Sequence, residues 1–540
     1  MKNKNNIIQS ITFIALFTAL LSSCLNHLDR FPENETTGED VYGTFDGYKG
    51  AIVKVYAANA LSGNQGPSGK PDISGLDEGQ YADFLRMFFN HQELPTDEAH
   101  CIWSQDDGIT GLNNINFSSE NPFSKGMYNR SIMNIMYVNE FLRNSTQSAV
   151  GGKGFDASQE GEIAYFRAEA RFLRAFQYWV LMDIFGNPPF VTEETEMDIL
   201  PEQIGRKDLF DYIESELKDI ADNNQLKDPR TNEYGRVDKG AAWALLARLY
   251  LNAEVYTGTG KYSEAATYAE KVINAGYSLK DDYEQLFLAN NNLNNPEVIL
   301  SINYDGEKTR NFGGATFLIN CGSNVDYQAD YADVLLHYGI RDNANWSGYR
   351  ARKEFMEKFA EGDKRNLFVG ETPSIENAID YKEGMATYKW RNITIDANGN
   401  WEYGSHIAYA DNDFPLFRLA EIYLIYTEAV KRGGNGSAAT ALECINKLRE
   451  RAFGGADNNY RSFNDVTMED ILNERGFELY WEGHRRTDLI RFNLFTGSGY
   501  IWEWKGGVRN GRSASAHYNI YPIPSSDIMA NPNLKQNPNY

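Results

Sequence analysis

Two tryptophans stand in irregular, polar stretches: Trp103 in CIWSQDDG and Trp346 in DNANWSG. Neither stretch has the period of a helix or a strand. Loops run over the surface and carry function, so a loop tryptophan is a stronger candidate for ligand contact than a core one. Acidic residues crowd around Trp103, namely Asp97, Glu98, Asp106 and Asp107. Two carboxylates placed roughly 5–9 Å apart across a glycosidic bond would make a glycosidase. A chain with 75 acidic residues offers such clusters by chance, however. Patterns for other chemistry are missing. There is no HExxH, GxSxG or GxGxxG. The segment GPSGKP has Asn64 where a phosphate-binding loop needs its leading Gly, and Pro71 where it needs Ser or Thr. The seven His are scattered singly. A net charge of -23 disfavours nucleic acid, whose phosphates need basic patches.

The elements that must position these loops are helical. Arg236–Tyr256, RVDKGAAWALLARLYLNAEVY, is dominated by Ala and Leu and has Asp238 as a plausible N-cap. A helix apolar on nearly every side must be buried on nearly every side. Trp243, Leu246, Ala247 and Tyr250 have the spacing of the first helix of a tetratricopeptide-type pair, and Tyr262–Ala275 supplies the second. The spacing recurs at Leu416, Leu419, Ala420 and Tyr423, which predicts a second pair over Phe414–Phe453. A looser copy contains Ala175 and Tyr178. The fold class expected is mainly α, with stacked helix pairs framing an irregular, loop-rich face. Thr467–Phe495 reads as one helix opened by a capping box. Its dense charges, among them Glu474, Glu478, Arg485 and Arg491, read as an ion-pair network on the helix surface.

At the N-terminus, Lys2 and Lys4 precede the apolar run Ile7–Leu21, which reads as a secretory signal. Leu21-Ser22-Ser23-Cys24 resembles a bacterial lipobox, which implies cleavage before Cys24 and its acylation. The domains expected are a signal peptide over 1–23, a lipid anchor and tether over 24–45, an N-terminal part over 46–225 and a C-terminal part over 226–540. The last two form one compact unit. Cys101, Cys321 and Cys444 remain, and their wide spacing gives neither a disulfide framework nor a zinc pattern.

Four blocks occur in order: AEARFLRAFQYWVLMDIFGNPP, RVDKGAAWALLARLYLNA, FPLFRLAEIYLIYTEA and ILNERGFELYWEGHRRTDLIRF. With the LSSC segment and the ending YPIP…NPNLKQNPNY, they resemble the RagB/SusD family of outer-membrane nutrient-binding lipoproteins. LDEG, ELPTDE, TRNFGG and IWEWKGGVRNG resemble its starch-binding members in particular. The resemblance implies a tetratricopeptide-like protein on the cell surface, anchored by lipid in the outer membrane. It would bind an α-glucan such as starch or maltooligosaccharides without cleaving it, and serve a SusC-like TonB-dependent transporter. The same role for a different polysaccharide, or a surface glycosidase, is the alternative.

The resemblance also implies site residues. Trp103, Phe312 and Trp346 match an arc of aromatic rings, with Phe312 where the family has Tyr. Asp77 and Arg86 match polar contacts to the sugar, as does Asp106, which stands in place of Asn. The physics is compatible: a pyranose has an apolar C–H face that stacks on an aromatic ring, and hydroxyls that pair with carboxylate and guanidinium. A structural calcium ion is implied at Asp411 and Asp413, with Asn292 and Asn294 opposite. Hard oxygen ligands suit calcium. Here Asn292 replaces a carboxylate, and an Asn-rich turn with its own side-chain hydrogen bonds is the alternative.

Overall fold

The computed structural model describes residues 38–63, 71–77, 81–196, 198–324 and 338–540. The signal segment and Cys24 lie outside these residues. The chain divides into two compact units, Met1–Ala51 and Ile52–Tyr540. In the first, the described residues open with the helix Gly38–Tyr42.

The second unit is mainly helical. Its principal helices are α1 (Phe84–Glu93), α2 (Pro122–Asn144), α3 (Ala157–Ile184), α4 (Arg206–Asp222), α5 (Lys239–Leu251) and α6 (Tyr262–Ile273). They continue as α7 (Gly314–Gly322), α8 (Leu419–Lys431), α9 (Ala438–Phe453), α10 (Met468–Leu479) and α11 (Arg485–Arg491). Neighbours pack in tetratricopeptide-like pairs: α2 on α3, α3 on α4, α5 on α6, and α8 on α9. The all-apolar helix α5 is buried on nearly every side, with Asp238 capping it by accepting from the Ala241 N–H. Its one buried guanidinium, Arg248, forks onto Glu421 of α8 at 2.7 Å through both Nε and Nη2. A bidentate pair of this kind holds two helices in one register.

Among the described residues, four two-stranded antiparallel sheets lie between the helices: β1 (His100–Cys101) with β3 (Tyr349–Arg350), β2 (Val298–Ile302) with β8 (Phe414–Arg418), β4 (Phe368–Val369) with β5 (Ala386–Thr387), and β6 (Ile393–Ile395) with β7 (Trp401–Tyr403). This corrects one expectation. The run FPLFR is strand β8, paired Phe414 to Ile302 and Arg418 to Val298, and the helix begins only at Leu419. Leu416 therefore belongs to the ladder and not to a helix face. A partner strand remote in sequence overrides the local helical spacing.

A second correction concerns Thr467–Phe495. The capping box of Thr467 and Asp470 is present, but the helix stops at Leu479 and a new one starts at Arg485. Trp481 and Gly483 take positive φ between them, 58° and 81°. The loop's N–H groups find partners across the fold: Trp481 donates to Glu98 at 3.1 Å and Gly483 to Glu93 at 2.7 Å. Those carboxylates replace the intrahelical bonds, so the backbone N–H groups of Trp481, Gly483 and His484 keep partners where the helix breaks.

The charges of this segment are also not on a surface. Arg418 bonds Glu297 (2.8 Å), Glu478 (2.6 Å) and Glu482 (2.7 Å), and every one of these side chains is buried. Arg365 bonds Asp363, Glu474 and Glu478, and Arg451 bonds Glu297 and Glu478. Burial alone would raise the Glu478 carboxyl, but Arg451, Arg418 and Arg365 hold it down at about 2. Helix periodicity gives no sign of this, because the partners come from other elements: a loop at Arg365, strand β8 at Arg418 and helix α9 at Arg451.

Candidate functional site

Helix α7 organises the candidate site from both ends. Just ahead of its start, Asp83 accepts from the Gly314 N–H at 3.0 Å, from the Asn311 amide, and from the Arg86 N–H at 2.7 Å. Asp83 is also the N-cap of α1. One carboxylate thereby fixes the Phe312 loop against the helix turn that carries Arg86. A Cβ on Gly313 would fall 2.2 Å from the Asp83 carboxyl carbon, so only glycine fits there.

At the other end of α7, the last carbonyls have no partner within the helix. The loop that carries Trp346 supplies partners for two of them and for the C-cap residue Ser323. Trp346 donates to Asn320 O, Ser347 to Ser323 O and Gly348 to Cys321 O, each at 3.0 Å. To run along the helix end this way, the loop places Asn343, Asn345 and Ser347 at positive φ (50°, 61° and 55°). Asparagine tolerates that region better than most residues, which gives DNANWSG a physical reason for its composition.

The β1–β3 ladder then sets Trp103 beside Trp346, because both tryptophans lie next to its ends in sequence. The Trp103 Nε1–H donates to Trp346 O at 3.3 Å. A Cβ on Gly348 would meet the Trp103 ring at 2.2 Å, so glycine lets the ring lie on the backbone. A turn from Trp103 to Asp106 (N···O 3.0 Å) brings Asp106 round to the same side.

The result is an open cleft of about 450 Å³ lined by Asp77, Arg86, Trp103, Asp106, Phe312, Asn343 and Trp346. All six residues expected from sequence meet there. Ring centroids of Trp103 and Trp346 are 6.5 Å apart and tilted 50°, and those of Phe312 and Trp346 are 6.5 Å apart and tilted 55°. The rings therefore form a bent row, not a flat platform. The buried Arg86 lies over Phe317 at 4.6 Å and over Trp103 at 6.0 Å, which holds its guanidinium plane at the cleft floor. Burial raises the Asp106 carboxyl above its usual range, and Arg86 opposes that shift. Sequence reading missed Asn343. Its signal was the positive-φ Asn run beside Trp346.

Comparison with known proteins now bears on the arrangement. A profile described as the SusD family matches residues 296–540, and one described as "Starch-binding associating with outer membrane" matches residues 102–251. The starch-binding protein SusD of Bacteroides thetaiotaomicron is 37% identical over 577 aligned residues, which cover 98% of this chain and 98% of that protein. The chain belongs to the SusD family. Solved structures agree on the fold. A SusD superfamily protein of Parabacteroides distasonis superposes with a TM-score of 0.69 at 23% identity, covering 92% of this chain and 99% of that one. Surface glycan-binding protein A of Bacteroides thetaiotaomicron, solved with laminarihexaose, gives 0.65 at 19% identity over 91% and 99%.

Other acidic residues near Trp103 in this SusD-family chain have separate roles. Asp97 takes both arms of Arg485 at 2.7 Å, and Glu98 accepts from the Trp481 N–H; both are buried. Among the described residues, Asp77 and Asp106 supply the carboxylates that line the cleft. Two larger hollows, of about 790 and 780 Å³, lie by Tyr277 and Lys447 and by Ile163 and Tyr165. Neither gathers a row of rings with a guanidinium and carboxylates, so chemistry and not size selects the cleft.

The residues implied for calcium do not assemble as a set. Asp413 accepts from the Tyr304 N–H (2.8 Å) and the Tyr234 hydroxyl (2.7 Å), and burial pushes its carboxyl up to about 6. Asp411 accepts from the Gly306 N–H and the Ser405 hydroxyl, each at 2.7 Å, and from the Ser405 N–H at 2.5 Å. It is Asn291 that meets Asp413, exchanging bonds of 3.0 and 2.7 Å with its backbone. Asn292 and Asn294 are exposed on the turn and make no side-chain hydrogen bond to either aspartate. Among the described residues no group of three or more His, Cys, Asp or Glu is disposed to hold a metal. A four-side-chain oxygen shell therefore does not fit this arrangement.

Proposed function

We propose that the cleft binds a starch-like α-glucan without cleaving it, at the outer face of the outer membrane. The bound saccharide is then passed to a SusC-like TonB-dependent transporter. The observation that carries this reading is the bent row of Trp103, Trp346 and Phe312, flanked by Arg86, Asp77 and Asp106. Rings tilted by 50° and 55° suit a chain that is itself curved. A flat β-1,4 chain would have to bend to touch all three, whereas a coiled α-1,4 chain is preorganised, which lowers the ordering cost of binding. The starch-binding relative supports the α-glucan, and the outer-membrane description of the N-terminal profile supports the location. A structural neighbour holds laminarihexaose, so a curved β-1,3 glucan is the second ligand to test.

Calorimetry with maltoheptaose, laminarihexaose and cellohexaose tests the choice. Maltoheptaose should bind and cellohexaose should not; equal affinity for those two would sink the reading. Product analysis after long incubation tests the absence of cleavage, because two carboxylates do line the cleft. The proposed anchor rests on Leu21–Cys24. Cys24→Ala should remove palmitate labelling, and a variant still held by the membrane after high-salt washing would argue for another tether.

A further inference from the structure

The row of rings does not end at Phe312. Tyr409 lies 5.3 Å from Phe312, and His406 lies 4.8 Å from Tyr409 at a tilt of 33°. Tyr409 is buried and so serves as a support, whereas His406 is half-exposed. The Ala408 N–H donates to His406 Nδ1 at 3.0 Å. That bond makes Nδ1 an acceptor and leaves the neutral ring's proton on Nε2, a donor.

Past His406 stands the β6–β7 hairpin. Trp401 and Tyr403 are two residues apart on one strand and so share a face. Their centroids are 5.0 Å apart, and Tyr403 is 41% exposed. The Arg341 guanidinium lies over the Tyr403 ring at 4.1 Å. Among the described residues its side chain makes no hydrogen bond or ion pair to protein. The backbone beneath it is fixed: the Arg341 and Asp342 N–H groups both donate to Ile407 O, at 2.9 and 3.1 Å. The next residue along this segment, Asn343, lines the cleft. An exposed aromatic ring with a guanidinium over it is thus joined to the cleft through the backbone, and lies three residues along the chain from the end of the ring row at His406.

We propose that this surface is a second subsite for the same saccharide, taking the sugar units that run beyond Phe312. The inference rests on the reading of the cleft as a glycan site. Tyr403 and Trp401 would offer ring faces and edges to neutral pyranose units, and Arg341 and His406 Nε2 would donate to hydroxyls. An arginine plate stacked on an aromatic ring loses little freedom when it binds, because the ring has already fixed its plane. The cleft then sets whether a saccharide binds, and the hairpin sets how much is gained from chain length.

The test is calorimetry of the full chain with maltotriose, which the three cleft rings can hold, and with maltoheptaose. Three proteins are compared: wild type, Arg341→Ala/Tyr403→Ala and Trp346→Ala. Wild type should gain affinity with length. The hairpin variant should bind maltotriose as wild type does, yet lose about three- to tenfold on maltoheptaose. A hairpin variant that binds maltoheptaose with wild-type affinity overturns the subsite, as does a wild type with no gain from length. Trp346→Ala should weaken both sugars. If it weakens neither, the cleft reading itself fails, and the subsite falls with it. Circular dichroism and melting should be unchanged in the hairpin variant, since the pair is exposed; a variant that melts early is replaced by Arg341→Gln, with the same length dependence expected.

Discussion

The cleft and the cluster around Arg418 use the same residue types to opposite ends. Both combine guanidinium, carboxylate and aromatic rings. Around Arg418 each charge is buried and meets opposite charges on other elements, so that Glu297, Glu478 and Glu482 all converge on one guanidinium. In the cleft the rings are half-exposed, Asp77 is exposed, and Arg86 lies over the Phe317 and Trp103 rings and lines an open hollow. Saturated charges specify which helices and strands meet. Charges lining an open cleft lie within reach of a ligand. The difference is set by what surrounds the charges, since residue type is shared.

That contrast can be broken by experiment. The largest effect is expected at Arg418. Arg418→Met would leave three buried carboxylates short of their shared partner, at a cost of roughly 3–5 kcal/mol. Loss of soluble protein or a Tm lower by several degrees would be seen, and near-wild-type melting would mean the cluster is not the clamp described here. The cleft should behave the other way round. Trp103→Ala with Trp346→Ala should nearly abolish maltoheptaose binding while leaving the melting curve almost unchanged. Trp346→Ala alone should cost on the order of 1 kcal/mol, a several-fold weakening.

A third measurement uses pH. Glu93 and Glu98 are buried against each other beneath the Trp481 loop, which requires one of them to hold a proton. Burial pushes Glu93 up to about 7, against bonds from the Gly483 and His484 N–H groups, and burial together with the Glu93 charge raises Glu98. The folded state therefore binds a proton that the unfolded chain releases near its ordinary carboxyl range. The stability this supplies is full below about pH 4.5 and is lost as pH rises through about 7. Glu93→Gln, which carries its proton permanently, should flatten the fall in Tm between about pH 5 and 7. An unchanged slope would place the decline elsewhere, for instance at Asp413, which is also raised, to about 6.

Calcium removal is expected to do least. Tyr234, Tyr304 and Ser405 already engage the oxygens of Asp411 and Asp413. A chelator should therefore move the melting temperature little, and a fall of several degrees would restore a metal to this place, because a ligand bound only to the folded state stabilises it.

Much of this was legible in the chain. The α5 helix, its Asp238 cap and its pairing with α6 follow from propensity and spacing, which are local properties. The cleft residues were reachable because Trp103 and Trp346 sit in polar stretches with no period. The family resemblance, which includes LDEG and TRNFGG, supplied Phe312, Arg86 and Asp77. The three corrections share a cause. The strand at Phe414, the break after Leu479 and the burial of the Glu474–Arg491 charges all depend on partners on other elements, 27 positions away for Arg451 and Glu478 and 390 for Glu93 and Gly483. A hydrogen bond from Gly483 to Glu93 spans 390 positions and leaves no mark on the local pattern.

The sequence by itself determined the α5 and α6 pair, the capped starts at Asp238 and Thr467 and which irregular stretches carry Trp103 and Trp346, because capping, side-chain entropy and polarity act within a few residues. Only the tertiary structure decided that Trp103, Phe312 and Trp346 form one bent row. That arrangement needs the open end of α7 to be capped by the Trp346 loop, and a two-residue ladder to bring in Trp103 from 243 positions away. Which charges are saturated and which face a cleft was decided at the same step, because burial is a property of the packed chain.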